Sequence, residues 1–97
     1  MEAAIEAASA STALGAICHI DAARGRQKAV MLDEERAQFP DRFAQRPFGG
    51  VPTLAKDLGG PFADFPVRAG SRMLQTMLDP AADSDLAGRF RDAGFAL

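Results

Sequence analysis

Gly49-Gly50-Val51-Pro52-Thr53-Leu54-Ala55-Lys56-Asp57-Leu58-Gly59-Gly60 is the stretch whose reading decides the fold. Two glycine pairs bracket a short apolar run, and Val51–Lys56 reads as a strand. Pro52 fits the start or the edge of such a strand, where no ladder donor is needed. Glycine and proline crowd the surrounding residues, with Pro47, Pro61 and Pro66 completing the set. Backbone of that composition turns sharply or passes close to other groups.

Working outward, Ala16-Ile17-Cys18-His19-Ile20 reads as a second short extended segment, with two β-branched residues. Phe95-Ala96-Leu97 begins a third apolar run after Gly94. Helical text lies between. Glu2–Ser11 is Ala-rich with Ile5 as its one large apolar residue, so its helix has a thin apolar face. Asp21 caps a second helix over Ala22–Gln38, whose apolar stripe is Ala22, Ala29, Val30 and Leu32. Phe39-Pro40 ends it, because the residue before a proline is pushed out of the α region. Asp41–Pro47 reads as an ordered surface loop, and Arg72–Leu78 as a short helix broken by Asp79-Pro80. The last helix is the clearest. Asp83 or Ser84 caps it, Leu86, Phe90, Ala93 and Leu97 recur at i, i+4, i+7 and i+11, and Gly94 ends it.

Ninety-seven residues make one small domain at most. Eleven basic against thirteen acidic residues exclude a binder that depends on neutralising phosphates, so no nucleic-acid partner is expected. Seven Phe without Trp or Tyr leave few side chains for base stacking or a membrane-interface belt. No apolar run approaches the ~20 residues of a spanning helix, so no membrane partner is expected either. One cysteine makes no internal disulfide, and the reading is a cytoplasmic chain.

Lys56 is the first residue to weigh for chemistry. It closes the strand, precedes Asp57, and is one of two lysines in a chain that otherwise uses arginine as its cation. A lysine in an apolar site can lose its proton near neutral pH and act as a base, which arginine cannot do. The plainer reading is a surface ammonium paired with Asp57 or Asp64. A phosphate-cradling loop fails on spacing, since Ala55 precedes Lys56 and Asp57 follows it. Cys18 and His19 fall on opposite faces of their segment, which favours a core cysteine and an incidental histidine over a catalytic pair. One Cys and one His give no zinc constellation, so no metal and no cofactor are expected.

Pro47 to Leu58 resembles the segment G-[IV]-P-x-x-x-K-D that carries the catalytic lysine in the amidase signature family. Ala69-Gly70-Ser71 resembles that family's A-G-S. Asp83-Ser84-Asp85-Leu86 followed by Arg89-Phe90-Arg91-Asp92-Ala93-Gly94 resembles its D-[AS]-x-[LV]-x-x-R-L-R-x-A-G helix. Leu14–Ala22 resembles the strand and helix start that precede the lysine segment. The resemblance runs from about Ile5 to Leu97 in the family's order. The chain departs from the pattern at Leu58, where many members have Asn, and at Val67-Arg68, where they have T-T.

The resemblance implies an α/β fold, a mixed sheet with helices on both faces, of which residues 1–97 form the N-terminal segment of one domain. It implies hydrolysis of small-molecule amides by a serine nucleophile, a bridging serine and a lysine. Lys56 matches the lysine, which draws a proton through the bridging serine. Asp57 matches a residue that orients the loop, and Gly70 and Ser71 shape the backbone behind the site. The Gly/Ser-rich stretch that supplies both serines has no counterpart here, so the expectation is a piece that is inactive alone. Two alternatives stand beside it: a non-catalytic module that self-associates or binds a partner through open strand edges, and one chain of a split amidase.

Overall fold

The computed structural model describes residues 1–71, 73 and 80–97. Among the described residues, four α-helices carry the architecture: α1 Glu2–Ala10, α2 Ala22–Gln38, α3 Pro40–Ala44 and α4 Asp85–Ala93. A single turn of 3-10 helix, Thr12–Leu14, follows α1 and ends at Gly15 with φ +66°. No helix among the described residues is long and apolar enough to cross a membrane.

The expected mixed α/β sheet is absent. Among the described residues there is no strand, only one isolated parallel bridge between Pro52 and Ala96. Val51–Lys56 pairs over a single residue, Pro52 with Ala96. Ala16–Ile20 has no regular secondary structure and joins no ladder. Isolated strand pairs are marginal in water without neighbours, and here the helices supply the packing instead. Pro52 costs nothing at the bridge. The bonds run from Ala96 N–H to Val51 O (2.9 Å) and from Thr53 N–H to Ala96 O (3.0 Å), so no donor at residue 52 is required.

Helix boundaries follow local chemistry. The Asp21 carboxylate accepts from Arg24 N–H at 2.9 Å and starts α2 where the sequence places it. Pro40 ends α2 and, with its fixed φ, opens α3, so the segment expected as a loop contains a short helix. The Ser84 hydroxyl accepts from Ala87 N–H at 3.2 Å to cap α4. At the other end Gly94 has φ +92°, its N–H bonds Arg91 O, and Phe95 N–H bonds Phe90 O. That paired pattern is a Schellman cap, and the Phe90 and Phe95 rings stack across it at 4.9 Å. The helix expected over Arg72–Leu78 lies outside the described residues, Met73 apart.

Two corrections concern faces. The buried positions of α2 are Gly25 and Leu32, while Val30 is exposed. Gly25 is where α1 crosses: a Cβ there would touch Ile5 Cδ1 at 3.5 Å and Met1 Sδ at 3.6 Å. On α4 the buried residue is Ala87, and Leu86 turns outward over Gly60. Among the described residues, Leu32, Phe62, Ala87 and Ala96 are the buried apolar side chains.

Rings do the rest of the packing. Phe48 stacks on Phe95 (4.6 Å), Phe95 on Phe90, and Phe90 meets Phe62 edge-on (6.0 Å). Phe62 in turn meets Phe65 edge-on (6.1 Å), and Phe65 meets His19 (6.4 Å). This chain of rings ties the glycine-rich segment, the loop after it and α4 into one body. The body is open. Its radius of gyration is 14.3 Å, against ~12.5 Å for a compact chain of this length. Its surface of 6753 Å² exceeds by about 1,400 Å² what a compact protein of this mass exposes.

Candidate functional site

Lys56 is held between two anchors. On its N-terminal side, Phe48 N–H bonds Ala93 O at 3.0 Å and Gly50 N–H bonds Gly94 O at 2.9 Å, continuing into the bonds at Val51 and Thr53. The lysine segment is thus fastened to the end of α4. On its C-terminal side, the Asp57 carboxylate accepts from Arg68 N–H at 2.7 Å and from Gly70 N–H at 3.3 Å. Those amides belong to a tight turn closed by Ser71 N–H on Arg68 O, with positive φ at both Ala69 (+51°) and Gly70 (+64°). Asp57 is therefore the residue that orients the loop, and Ala69-Gly70-Ser71 is the turn it orients.

The Lys56 side chain is exposed and makes no ion pair among the described residues. Both carboxylates offered to it by the sequence are engaged elsewhere. Asp57 is committed to backbone amides, and Asp64 bridges Arg24 (2.6 Å) and Arg91 (2.7 Å). No serine is hydrogen-bonded to it among those residues. Ser11 Oγ donates to Ala7 O, Ser71 Oγ accepts from Met73 N–H, and Ser84 Oγ caps α4. The lysine is thus presented but not joined to a nucleophile.

Cys18 is exposed, which corrects its expected place in the core. His19 lies against Phe65. No group of three or more His, Cys, Asp or Glu residues able to hold a metal exists among the described residues.

The sequence reading missed an ionic network. Asp64 links Arg24 of α2 to Arg91 of α4, and Arg91 also bonds Asp83 through Nε at 2.5 Å. The Asp83 carboxyl is held below its ordinary range, first by the Arg91 guanidinium and then by the Ala63 N–H. Arg91 is raised in return, chiefly by Asp83. Its guanidinium also lies 5.9 Å from the centre of the Phe62 ring. At the far end, Arg26 and Glu2 pair across α1 and α2, lowering the Glu2 carboxyl. Asp64 and Asp83 lie twenty-seven and eight residues before Arg91, spacings that no helical or strand period singles out.

No family model, no curated protein and no solved structure matches this chain.

Proposed function

We propose that this chain supplies the lysine of an amidase-type site, with the two serines contributed by polypeptide outside these 97 residues. The reading rests on motif and environment, not on the mixed sheet, which the chain lacks. The observation that carries it is the exposed Lys56 side chain, without an ion pair among the described residues and set between two backbone anchors, in a motif of the type G-V-P-x-x-x-K-D. A lysine placed this way is accessible to an incoming serine and has its carboxylate neighbours already occupied. A positioned base contributes roughly 10²–10⁴-fold to such a reaction.

The test is reconstitution. The chain is mixed with the separately expressed serine-bearing portion of an amidase signature enzyme, and hydrolysis of benzamide and acetamide is followed. Turnover is expected in the mixture, with neither component active alone and a loss of at least ~100-fold on Lys56→Ala. Turnover by the chain alone, or an unaffected Lys56→Ala mixture, overturns the reading.

A second reading is favoured by one observation, the excess surface. Leu54 (64% exposed), Leu58 (56%) and Phe48 (46%) leave apolar area open along the lysine segment. A non-catalytic, self-associating module would cover it. Sedimentation equilibrium distinguishes the two: concentration-dependent mass that Leu54→Lys abolishes favours the module, and a monomer at every concentration excludes it.

A further inference from the structure

We infer that the cleft between α2 and α4 binds a small organic anion, an oxyanion head group carrying a short apolar body. The cleft has a volume of about 300 Å³, at the lower end of small-molecule sites. It is distinct from Lys56, which does not line it. Arg24, Gln27, Lys28 and Met31 reach it from successive turns of α2, Arg91 from α4, and Phe65 from the intervening loop.

Three cations and the carboxylate of Asp64 line this cleft; Arg91 is paired with Asp83 as well, so Lys28 supplies the cleft's uncompensated charge. Asp64 holds both guanidiniums in place. Arg24 bonds its carboxylate at 2.6 Å and its carbonyl oxygen at 3.1 Å, and Arg91 bonds its carboxylate at 2.7 Å. Side chains fixed this way have little freedom left to lose when an anion arrives. Lys28 is the part without a match. It is half-buried in the cleft wall and makes no ion pair among the described residues, and the Gln27 amide beside it is exposed at the cleft rim. An oxyanion beside Lys28 pairs its charge, with the Gln27 amide in reach as a further donor. Met31 and Phe65 then face the rest of the ligand, which calls for carbon there and not a second charge.

The experiment is an amide-shift titration of the 97-residue chain by NMR at low salt, with sodium phenylacetate, sodium acetate and inorganic phosphate as separate probes. Phenylacetate is expected to give saturable shifts at Gln27, Lys28 and Phe65 with a Kd near ~1 mM, the range set by its few heavy atoms. Acetate and phosphate are expected to bind at the same residues more weakly, because they leave Met31 and Phe65 uncovered. Lys28→Gln should weaken phenylacetate about tenfold with the spectrum otherwise preserved, since Lys28 makes no structural pair. Lys56→Gln should leave binding unchanged, which separates this site from the proposed amidase role. Shifts that never saturate, or that persist unaltered in Lys28→Gln, overturn the inference.

Discussion

The Asp57 carboxylate accepts the Arg68 N–H at 2.7 Å, eleven residues along the chain, and so fixes the loop that follows Lys56. With the second bond to Gly70 N–H, one side chain replaces the pairing that a sheet would have provided. Charge-assisted bonds to backbone amides contribute about 1.5–3 kcal/mol where they are shielded from water. These are partly exposed. Asp57→Ala is expected to cost ~1–2 kcal/mol in urea unfolding. Asp57→Asn, which keeps one acceptor oxygen, should cost about half as much.

Two positive-φ positions respond to substitution with opposite sign. Ala69 sits at φ +51°, where a Cβ costs ~1–2 kcal/mol, so Ala69→Gly should stabilise by about 0.5 kcal/mol after the extra freedom of glycine in the unfolded chain. Gly94 sits at φ +92°, and a Cβ there would lie 2.9 Å from Gly49 Cα and 3.1 Å from Arg46 Cβ. Backbone cannot yield as a side chain does. Gly94→Ala should therefore destabilise by ~2–3 kcal/mol, combining the strained φ with the close approach that couples α4 to the lysine segment. Thermal unfolding of the pair gives both signs in one measurement series.

Helix ends were legible in the sequence, and the sheet was not there to be read. Asp21, Pro40, Ser84 and Gly94 each act through bonds made within a few residues, so their roles follow from local chemistry. Loop orientation by Asp57 does not follow from local chemistry, because its bonds reach eleven and thirteen residues along the chain; the expectation came from the motif's resemblance alone. Strand pairing depends on a distant partner, and Val51–Lys56 found only Ala96. The buried faces were read in part where spacing alone was used: Leu32 is buried as expected, and the rest of the stripe differs. Val30 and Leu86 fit a periodic stripe, but Gly25 and Ala87 are the positions where a neighbouring element comes close enough to demand a small residue. The Asp64–Arg91–Asp83 network joins residues up to twenty-seven apart, which no local pattern marks.

Phe62 occupies the middle of the ring chain, between Phe65 and Phe90, and is 4% exposed. Removing it leaves a cavity and breaks both edge-to-face contacts. Phe62→Ala is expected to cost ~3–5 kcal/mol, enough to unfold a domain of this size at 37 °C. Phe62→Leu preserves most of the volume and should cost less than about 1.5 kcal/mol beyond the lost ring contacts. Circular dichroism melts of the two variants should therefore differ by many degrees; equal melts would show that the ring chain does not hold the loop to α4.

Acid sensitivity should trace to Asp83. Its carboxyl is lowered in the folded state from an ordinary value of 3.8, so the folded state binds that proton less readily than the unfolded chain does. The stabilisation is complete above the unfolded value and is lost as pH falls through the folded one. The window thus lies at and below about pH 4, and Asp83 is exposed enough that screening by salt will shrink the effect. In a series of urea midpoints from pH 6 to pH 3, the wild-type chain should lose stability most steeply at the acid end. Asp83→Asn should start lower and run flatter there, because it has no proton to take up. Parallel curves for the two proteins would assign the acid loss to another group, and the lowered Glu2 carboxyl on the α1–α2 pair is then the next to replace.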